Sequence, residues 1–351
     1  MRTSVIAHAI AVLSGLGLAS SASAQVVQTG GLLKIATGGG SDGFKLIVTA
    51  AGAIKLYGVP GVPDGRQYNA VTSVEVRSND GFDTIEVESF AAVTPALLID
   101  TGTGGSDVFI DLKPSLSGGM ISSNVRVIGS AGDDKCSIRL NTAAAVAQNI
   151  WDINPGDGVN QTYVLIDSDQ PSTRMAFDLR YAGGASYDVI NVDCIANANA
   201  IEARLGITTG GGADEAIVKV VPLRASAVAL NTAISMGSDR DKVTLFVDEV
   251  RSSSTLVGSV ALGAGDDVAD LRFEGRVFSN FVLGAGSEKD FIGWGVKGDC
   301  SGSTQLRGGL GDDFIASFIE GSLFGSVSAN GGPGLDTFAG RGTPLNCEII
   351  D

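Results

Sequence analysis

Histidine and paired cysteines are almost absent from this chain of 351 residues. The only histidine is His8, in a segment that we expect to be removed from the mature protein. Without histidine, the mature chain cannot use a Ser-His-Asp or Cys-His mechanism or build a histidine zinc site. The cysteines Cys136, Cys194, Cys300 and Cys347 form no CxxC pair, which argues against a zinc or redox motif. Their disulfide pairing stays open, although Cys300 with Cys347 could link the C-terminal end.

Positive charge, proline and aromatic residues are also scarce. The chain has 24 Lys and Arg against 39 Asp and Glu, a formal net charge of −15. This excess of acid disfavours nucleic acid and anionic lipid as partners. Only 2 Trp and 5 Tyr are available for the aromatic platforms that sugar-binding clefts usually display. Together, 49 Gly and 9 Pro indicate many tight turns rather than a proline-rich linker, and the Leu, Ile and Val content is too high for disorder.

Residues 1–24 have the features of an export signal. Arg2 supplies a positive charge, the run Val5–Ala19 is small and apolar, and Ala22–Ala24 gives a small-x-small cleavage site before Gln25. The apolar run is too short, and too rich in Ser and Gly, to span a bilayer well. No later stretch is long and apolar enough to cross a membrane. We therefore predict a secreted, periplasmic or cell-surface protein with a single mature domain, residues 25–351.

A short motif recurs twelve times along this domain. Each copy places glycines before a key residue, nearly always aspartate, and apolar residues after it, as in "GGLGDDFIA" and "GGPGLDTFA". The key residues are Asp42, Asp83, Asp107, Asp134, Asn160, Asp188, Asp214, Asp241, Asp267, Asp290, Asp313 and Asp336. After a first gap of 41 residues, their spacing is 23 to 28 residues. A dozen copies in register indicate a repeat architecture.

Apolar residues alternate on both sides of each motif. Val125 and Val127 precede Asp134, and Ile138 and Leu140 follow it. A period of two is typical of a strand with one buried face. One unit cannot bury that face alone, whereas stacked units can. The sequence therefore predicts an all-β fold, a right-handed parallel β-helix (β-solenoid) of about 11–12 coils, in which the aspartates form a column along one edge and the rod is about 55 Å long.

Other repeat folds fit this spacing less well. A propeller blade needs about 40 residues, sandwiches rarely keep so regular a spacing, and the nearest amphipathic helix, Asn141–Asn149, is short. The long first gap contains Tyr57–Asn69, which we predict to leave the stack as a loop or hairpin and which is a candidate functional excursion. We predict that residues 340–351 form a C-terminal cap.

The turns resemble the RTX (haemolysin-type) calcium-binding nonapeptide, G-G-x-G-x-D-x-U-x, where U is a large apolar residue. Gly331, Gly332, Gly334, Asp336 and Phe338 fill its fixed positions, and so do Gly308, Gly309, Gly311, Asp313 and Ile315. The resemblance implies Ca²⁺ held by carbonyl and carboxylate oxygens of stacked turns. The candidate metal ligands are Gly308, Gly311, Asp313, Gly331, Gly334 and Asp336, with Asp267 and Asp134 in less complete copies.

The chain departs from the RTX pattern in two ways. It carries one motif per coil, whereas RTX proteins string nonapeptides head to tail, and Asn160 replaces the acid in one copy. An alternative without metal is that the key residues accept hydrogen bonds from backbone N–H groups in the turns. Ionised carboxylates stacked about 4.8 Å apart repel each other, however, and a cation between them removes that cost. Doubled acids such as Asp312-Asp313 strengthen that point.

Two functions remain open at this stage. The first is an exported structural or adhesive β-helix, stabilised by calcium and without a catalytic site, whose partner is an extracellular surface or a polysaccharide. The second is a polysaccharide-acting enzyme, a lyase or glycoside hydrolase, which rests on fold-level analogy. Its candidate residues follow the turns by four to seven positions and could share one outer face: Asp111, Arg139, Asp167, Asp193 and Lys219. Scattered solvated charges would give the same pattern.

Overall fold

The computed structural model describes residues 24–114, 120–141, 146–172, 174–223 and 227–350. The predicted export signal lies outside these ranges except for Ala24. Within them the chain forms strands and turns, with no α-helix. In the same ranges, no helix is long and apolar enough to cross a membrane.

Most strands are short and separated by turns. Two long strands, Lys242–Ala264 and Val268–Ser287, continue through an irregularity in their pairing. In chain order they are β1 (Gln25–Thr29), β2 (Leu32–Ala36), β3 (Gly43–Val48), β4 (Ile54–Tyr57), β5 (Arg66–Tyr68), β6 (Ser73–Arg77), β7 (Asp83–Ser89), β8 (Ala96–Asp100), β9 (Ser106–Leu112), β10 (Met120–Ile128), β11 (Asp134–Asn141), β12 (Val146–Gly156), β13 (Asn160–Ser172), β14 (Arg174–Gly183), β15 (Asp188–Ala198), β16 (Ala200–Gly210), β17 (Glu215–Pro222), β18 (Ala227–Ser238), β19 (Lys242–Ala264), β20 (Val268–Ser287), β21 (Phe291–Lys297), β22 (Cys300–Leu310), β23 (Phe314–Ile319), β24 (Ser326–Asn330), β25 (Thr337–Gly340), β26 (Thr343–Leu345) and β27 (Glu348–Ile350).

Two parallel ladders run along the molecule. The first ladder contains β2, β6, β8, β10, β12, β14, β16, β18, the C-terminal parts of β19 and β20, β22, β24 and β26. The second ladder contains β3, β7, β9, β11, β13, β15, β17, the N-terminal parts of β19 and β20, β21, β23, β25 and β27. Each coil supplies one strand to each ladder, so the predicted parallel β-solenoid is confirmed.

The stacking follows the predicted repeat. Each of the twelve motifs forms the corner at which a coil passes from the first ladder to the second, and β26 with β27 adds a further short level. A residue and its partner one coil away are separated by 23 to 28 positions in the middle of the chain, as the registers Ser106 with Asp134 (28) and Asp290 with Asp313 (23) illustrate.

The inward side chains of both ladders form one apolar core. The alternating residues singled out in the sequence, among them Val125, Val127, Ile138 and Leu140, are all buried. Aromatic contacts join the ladders across this core. Phe281 of the first ladder packs on Trp294 of the second with ring centroids 6.0 Å apart. Large buried rings of this kind contribute much of the apolar area that holds such a core together.

Antiparallel strands close the N-terminal end. β1 pairs with β2, and β3, β4 and β5 form an antiparallel meander. The segment Tyr57–Asn69, predicted to leave the stack, contains the end of β4, a turn and β5. Its Val59 and Tyr68 are buried and belong to the core. The long first gap is therefore occupied by a hairpin that packs on the solenoid. At the other end, residues 340–351 contain β26 and β27, which continue both ladders.

The four cysteines are free thiols, so the disulfide considered between Cys300 and Cys347 is not formed. Cys300 opens β22, at the end of that first-ladder strand far from the corner. Cys347 lies next to the corner, where the backbone of Gly331 and the carboxyl of Asp336 influence its thiol. The length of a first-ladder strand separates the two sulfur atoms, which excludes a disulfide bond.

Successive corners stack directly on one another. The backbone N–H of Gly309 donates to the carbonyl of Gly331 at 2.8 Å, and that of Gly311 donates to the carbonyl of Pro333 at 3.0 Å. Gly286 is in register with Gly309 one coil earlier in the chain and has a φ of +118°. A Cβ atom there would overlap the carbonyl oxygen of Gly263. Close backbone approach at strand spacing therefore requires glycine at this point of the turn.

We expect Gly286→Ala to destabilise the protein by about 2–4 kcal/mol, because it combines backbone strain with overlap against the neighbouring coil. Gly284, two residues earlier in β20, has ordinary φ, and no atom lies within 4 Å of the place that an alanine methyl group would take. Gly284→Ala is the matched control and should change stability little. Urea denaturation followed by circular dichroism measures both. Equal losses in the two variants would contradict direct stacking of the corners.

Candidate functional site

The key residues of the motifs form a column at the corner and point into the molecule. Except for Asp107, each stands at or immediately before the start of a second-ladder strand, and its side chain has the same parity as the buried apolar residues that follow it. Nine aspartates of this column are 0–4% exposed: Asp83, Asp134, Asp188, Asp214, Asp241, Asp267, Asp290, Asp313 and Asp336. The predicted column therefore exists, but its carboxyl groups are buried rather than presented at an edge.

Hydrogen bonds between coils hold the column together. Oδ1 of Asp336 accepts the backbone N–H of Asp313 at 2.9 Å, and Oδ1 of Asp313 accepts that of Asp290 at 3.0 Å. The same link joins Asp241 to Asp267 at 2.7 Å. It recurs for the pairs Asp42–Asp83, Asp134–Asn160, Asp188–Asp214, Asp214–Asp241 and Asp267–Asp290. In these pairs the side chain satisfies a backbone donor of the preceding coil. Asp134 and Asp188 instead accept a side-chain donor, from Ser106 and Asn160 respectively.

The second carboxyl oxygen has no such partner. Oδ2 is buried without a hydrogen bond in eight of the aspartates: Asp83, Asp134, Asp214, Asp241, Asp267, Asp290, Asp313 and Asp336. A buried acceptor that is left unpaired is costly, and more so when it carries charge. A proton or a cation on Oδ2 would remove that cost, so this atom is the chemically open position of the column.

Burial raises the pKa of eight of the aspartates: Asp83, Asp134, Asp188, Asp214, Asp241, Asp267, Asp290 and Asp313. It brings the pKa of Asp241 and Asp290 to about 7, and the neighbouring carboxylates of the column add to the rise. Burial also raises the pKa of Asp134, Asp188 and Asp267 to about 6. The hydrogen bonds that these groups accept oppose the rise but do not cancel it.

Asn160 shows how a neutral side chain fits the column. Its Oδ1 accepts the N–H of Asp134 at 3.1 Å, as an aspartate would. Its Nδ2 donates to the carbonyl of Gly156 and to Oδ1 of Asp188, both at 2.9 Å. In Asn160, Nδ2 takes the place of the Oδ2 atom that the aspartates leave unpaired. One of its acceptors is the carbonyl of Gly156, four residues earlier.

The prediction that Asp107 is the key residue of the third motif is wrong. Ser106, and not Asp107, is in register with Asp83 and Asp134. Its hydroxyl donates to Oδ1 of Asp134 at 2.6 Å. Val108 is buried on the strand that follows, so parity requires the residue two places before it to face inward. That alternation was present in the sequence and would have identified Ser106.

The glycines of the RTX-like turns have packing roles. A Cβ atom on Gly308 would overlap Oδ2 of Asp313, and one on Gly331 would overlap the carboxyl group of Asp336. Gly311 and Gly334 have φ of +129° and +152°, and a Cβ atom on Gly334 would overlap the carbonyl of Gly311. The structure therefore brings the predicted residues Gly308, Gly311, Asp313, Gly331, Gly334 and Asp336 together in two adjacent corners. Asp267 lies two coils before Asp313 in the same column, and Asp134 lies far along it.

The first acids of the doubled pairs face solvent. Asp312 accepts the backbone N–H of Leu335 at 2.9 Å, Asp266 that of Lys289 at 3.2 Å and Asp133 that of Val159 at 2.9 Å. In the part of the chain that the structure describes, no group of three or more His, Cys, Asp or Glu side chains is arranged to hold a metal ion. Calcium binding by the turns stays a prediction.

A second polar cluster occupies the outer face of the second ladder. Asp111 is in register with Arg139, Arg139 with Leu165, Leu165 with Asp193, and Asp193 with Lys219. Asp167 follows Leu165 by two residues on the same strand. The residues proposed for an enzyme site are therefore neighbours across five strands, as their spacing predicted.

Residues that the sequence did not indicate complete this cluster. The hydroxyl of Tyr163 donates to Oδ2 of Asp193 at 3.2 Å. Burial and the adjacent Asp193 raise the pKa of Tyr163 to about 12, so its hydroxyl keeps its proton at neutral pH. Lys113 contacts Asp111 at 2.6 Å and Glu88 at 3.1 Å. The contacts of Tyr163 and Lys113 depend on the exact register between neighbouring second-ladder strands. The spacing of the motifs does not give that register residue by residue.

The fold and its corner column define a parallel β-solenoid. No protein-family model matches the sequence, and no curated protein matches it. A solved structure with some similarity is that of a hyperactive, Ca²⁺-dependent, β-helical antifreeze protein from an Antarctic bacterium. The two chains are 20% identical, the match covers 77% of this chain and 79% of that chain, and the TM-score is 0.33. We draw no functional conclusion from this likeness.

We expect stability to be highest at mildly acidic pH. A carboxyl group whose pKa is raised on folding contributes stability that is fully present below its unfolded pKa of about 4 and is lost as pH rises through the folded value. Those folded values are about 6 and about 7 for the column. The apparent melting temperature in chelator should therefore fall by several degrees from pH 5 to pH 8. A rise over that range would contradict this account of the column.

Asp241→Asn should remove part of this pH dependence. The amide can keep the bond to the Asp214 N–H and place Nδ2 where Asn160 finds its acceptors, so we expect an equal or higher melting temperature at pH 8 and a smaller slope with pH. Asp241→Ala is the control, and loss of its acceptor should cost about 1–3 kcal/mol at every pH. If the two variants are equally destabilised at pH 8, Asp241 functions as an ion rather than as a hydrogen-bonding group.

Proposed function

We propose that the protein is an exported structural or adhesive β-solenoid that acts by presenting a rigid outer surface to an extracellular partner. The observation that carries this proposal is the uninterrupted stack. Both ladders, the core and the corner column run through the described part of the chain as one unit. Residues of the column and core are committed to stacking, which leaves the outer faces for recognition. Export is supported by the signal-like segment and by the start of β1 at Gln25, directly after the proposed cleavage site.

The test is binding without turnover. Purified protein should co-sediment with intact cells or insoluble cell-wall polysaccharide and release no reducing or unsaturated ends from it. Amino-terminal sequencing of the exported product should begin at Gln25. Protein that stays with the producing cells and retains residues 1–24 would contradict export, and absence of co-sedimentation would contradict the adhesive role.

Calcium is a proposed stabiliser of the two RTX-like corners. The unpaired Oδ2 atoms of Asp313 and Asp336 are the side-chain oxygens that would hold it, together with carbonyl oxygens of the turns that contain Gly308 and Gly331. Bound calcium would neutralise the buried carboxylates of these two corners, and binding only to the folded state raises stability by mass action.

Calcium should therefore raise the melting temperature at pH 8 relative to chelator, while magnesium at the same concentration should not. Calcium prefers more oxygen ligands at longer distances than magnesium, which gives the expected selectivity. In the Asp313→Asn variant the calcium-dependent shift should be reduced. Identical melting in calcium and chelator would remove calcium from the proposal and leave the solenoid without metal.

A polysaccharide-acting enzyme is the second candidate, and the alignment of Asp111, Arg139 and Asp193 on one outer face is the observation that favours it. Glycoside hydrolases use a pair of carboxyl groups on either side of the scissile bond. Release of reducing or unsaturated ends by the wild-type protein, abolished in Asp193→Asn, would establish this function in place of the adhesive one.

A further inference from the structure

The outer face around Leu165 has a regular arrangement. Leu165 lies in β13, with Arg139 and Asp193 in register on the strands at either side. Tyr163 and Asp167 flank it on its own strand. Because alternate residues of a strand face the same side, all five share the outer face, with neighbours about 4.8 Å apart across strands and about 6.6 Å apart along them. Leu165 is therefore an apolar floor with a polar group on each of its four sides.

A hydrogen bond holds the Tyr163 side chain along this face. Its hydroxyl reaches Asp193 on the next strand, so the ring crosses the face diagonally instead of extending into solvent. The residue is 37% exposed, which leaves part of the ring accessible. An aromatic side chain held in one orientation can pack against the apolar face of a ligand at a small entropic cost.

Several polar atoms of this face are buried and have no partner. They are Oδ1 of Asp111, Nε of Arg139 and Oδ1 of Asn191. The Asp111 side chain is only 9% exposed, and Lys113 contacts its other oxygen. Buried polar atoms in native proteins are nearly always paired with protein, ordered water or ligand. Two of these atoms, on Asp111 and Arg139, lie on adjacent strands, and the third, on Asn191, lies two strands further along the same face. Ordered water or a ligand at this face would pair them.

The charges of the cluster identify the kind of molecule. With the Glu88 that Lys113 contacts, the cluster carries four acidic groups, Glu88, Asp111, Asp167 and Asp193, and three basic ones, Lys113, Arg139 and Lys219. The two signs nearly balance, so neither a highly charged anion nor a highly charged cation is favoured. Carboxylates accept hydrogen bonds, while guanidinium and ammonium groups donate them. Hydroxyl groups both donate and accept, and they match this mixture.

We propose that the outer face of the second ladder centred on Leu165 binds an uncharged saccharide, with Tyr163 packing on a sugar ring and Asp193 and Arg139 bonding its hydroxyl groups. The proposal rests on the adhesive function proposed above and names its partner and its site. The strip of cluster residues from β9 to β17 spans five strands, or about 19 Å, so it extends along the rod for more than one sugar unit.

Calorimetric titration of the full mature chain at pH 7 tests the proposal. The probes are cellohexaose and xylohexaose, with hexagalacturonate as the charged comparison. Saturable binding of an uncharged probe is expected. Tyr163→Phe and Asp193→Asn should each weaken it about tenfold or more, since the first removes the hydroxyl that is bonded to Asp193 and the second removes the charge that strengthens the hydrogen bonds of Asp193. Asp270→Asn, on the same face three coils from Asn191, is the matched control and should leave affinity unchanged.

Each outcome of this titration decides the proposal. Absence of saturable binding to both uncharged hexasaccharides overturns it, and so does binding that Tyr163→Phe and Asp193→Asn leave intact. Preferential binding of hexagalacturonate overturns the uncharged assignment. Melting curves of the variants separate loss of the site from loss of the scaffold. If the wild-type protein co-sediments with cell walls but binds neither uncharged hexasaccharide, the adhesive function stands and this site is wrong.

Discussion

Direct contact between the backbones of successive corners is the constraint on which this solenoid depends. At strand spacing, the turn of one coil lies against the turn of the next, with N–H groups bonded to carbonyls one coil away. Glycine is required where a Cβ atom would overlap that neighbour, as at Gly286. The inward carboxyl group supplies the acceptor that the bent backbone lacks. The motif of glycines before an aspartate is thus a stacking motif, and the calcium proposed above would add to the stability that stacking provides.

Burial of carboxyl groups in the column costs free energy, and the chain reduces this cost in more than one way. A carboxyl group with one bonded oxygen and one unpaired buried oxygen is poorly suited to carry charge. Raised pKa values near neutrality are the direct consequence. Asn160 meets the requirement with an amide, and Ser106 meets it with a hydroxyl. The formal charge of −15 therefore overstates the charge of the folded protein near neutral pH, because part of the acid content is buried and partly protonated.

The periodicity of the sequence made the fold predictable. The alternation of buried and exposed residues could also have predicted that the aspartates of the column point inward. The spacing of the motifs required stacked coils, and the alternation around Asp134 required two buried-faced strands. The aspartate shares the parity of Ile138 and Leu140, which places it inside, yet an ionised group was expected at an edge. The chemistry of a buried carboxyl group depends on its second oxygen, and no sequence pattern reports whether that atom has a partner. The contact between Tyr163 and Asp193 depends on exact strand register and was equally out of reach.

Because the column and core residues hold the coils together, a partner can be recognised only by the outer residues of the strands. A side chain in the column must bond to the neighbouring coil and one in the core must fill its space, so these positions have little freedom to adapt to a partner. Outer positions of the same strands are not restricted in this way, because their side chains contact only neighbours one coil away. On the face around Leu165 the chain uses that freedom to place acids, bases and an aromatic ring on adjacent strands. Solvated ion pairs alone would not account for the buried side chain of Asp111 or for the unpaired atoms of Arg139 and Asn191, which ordered water or a ligand at this face would pair.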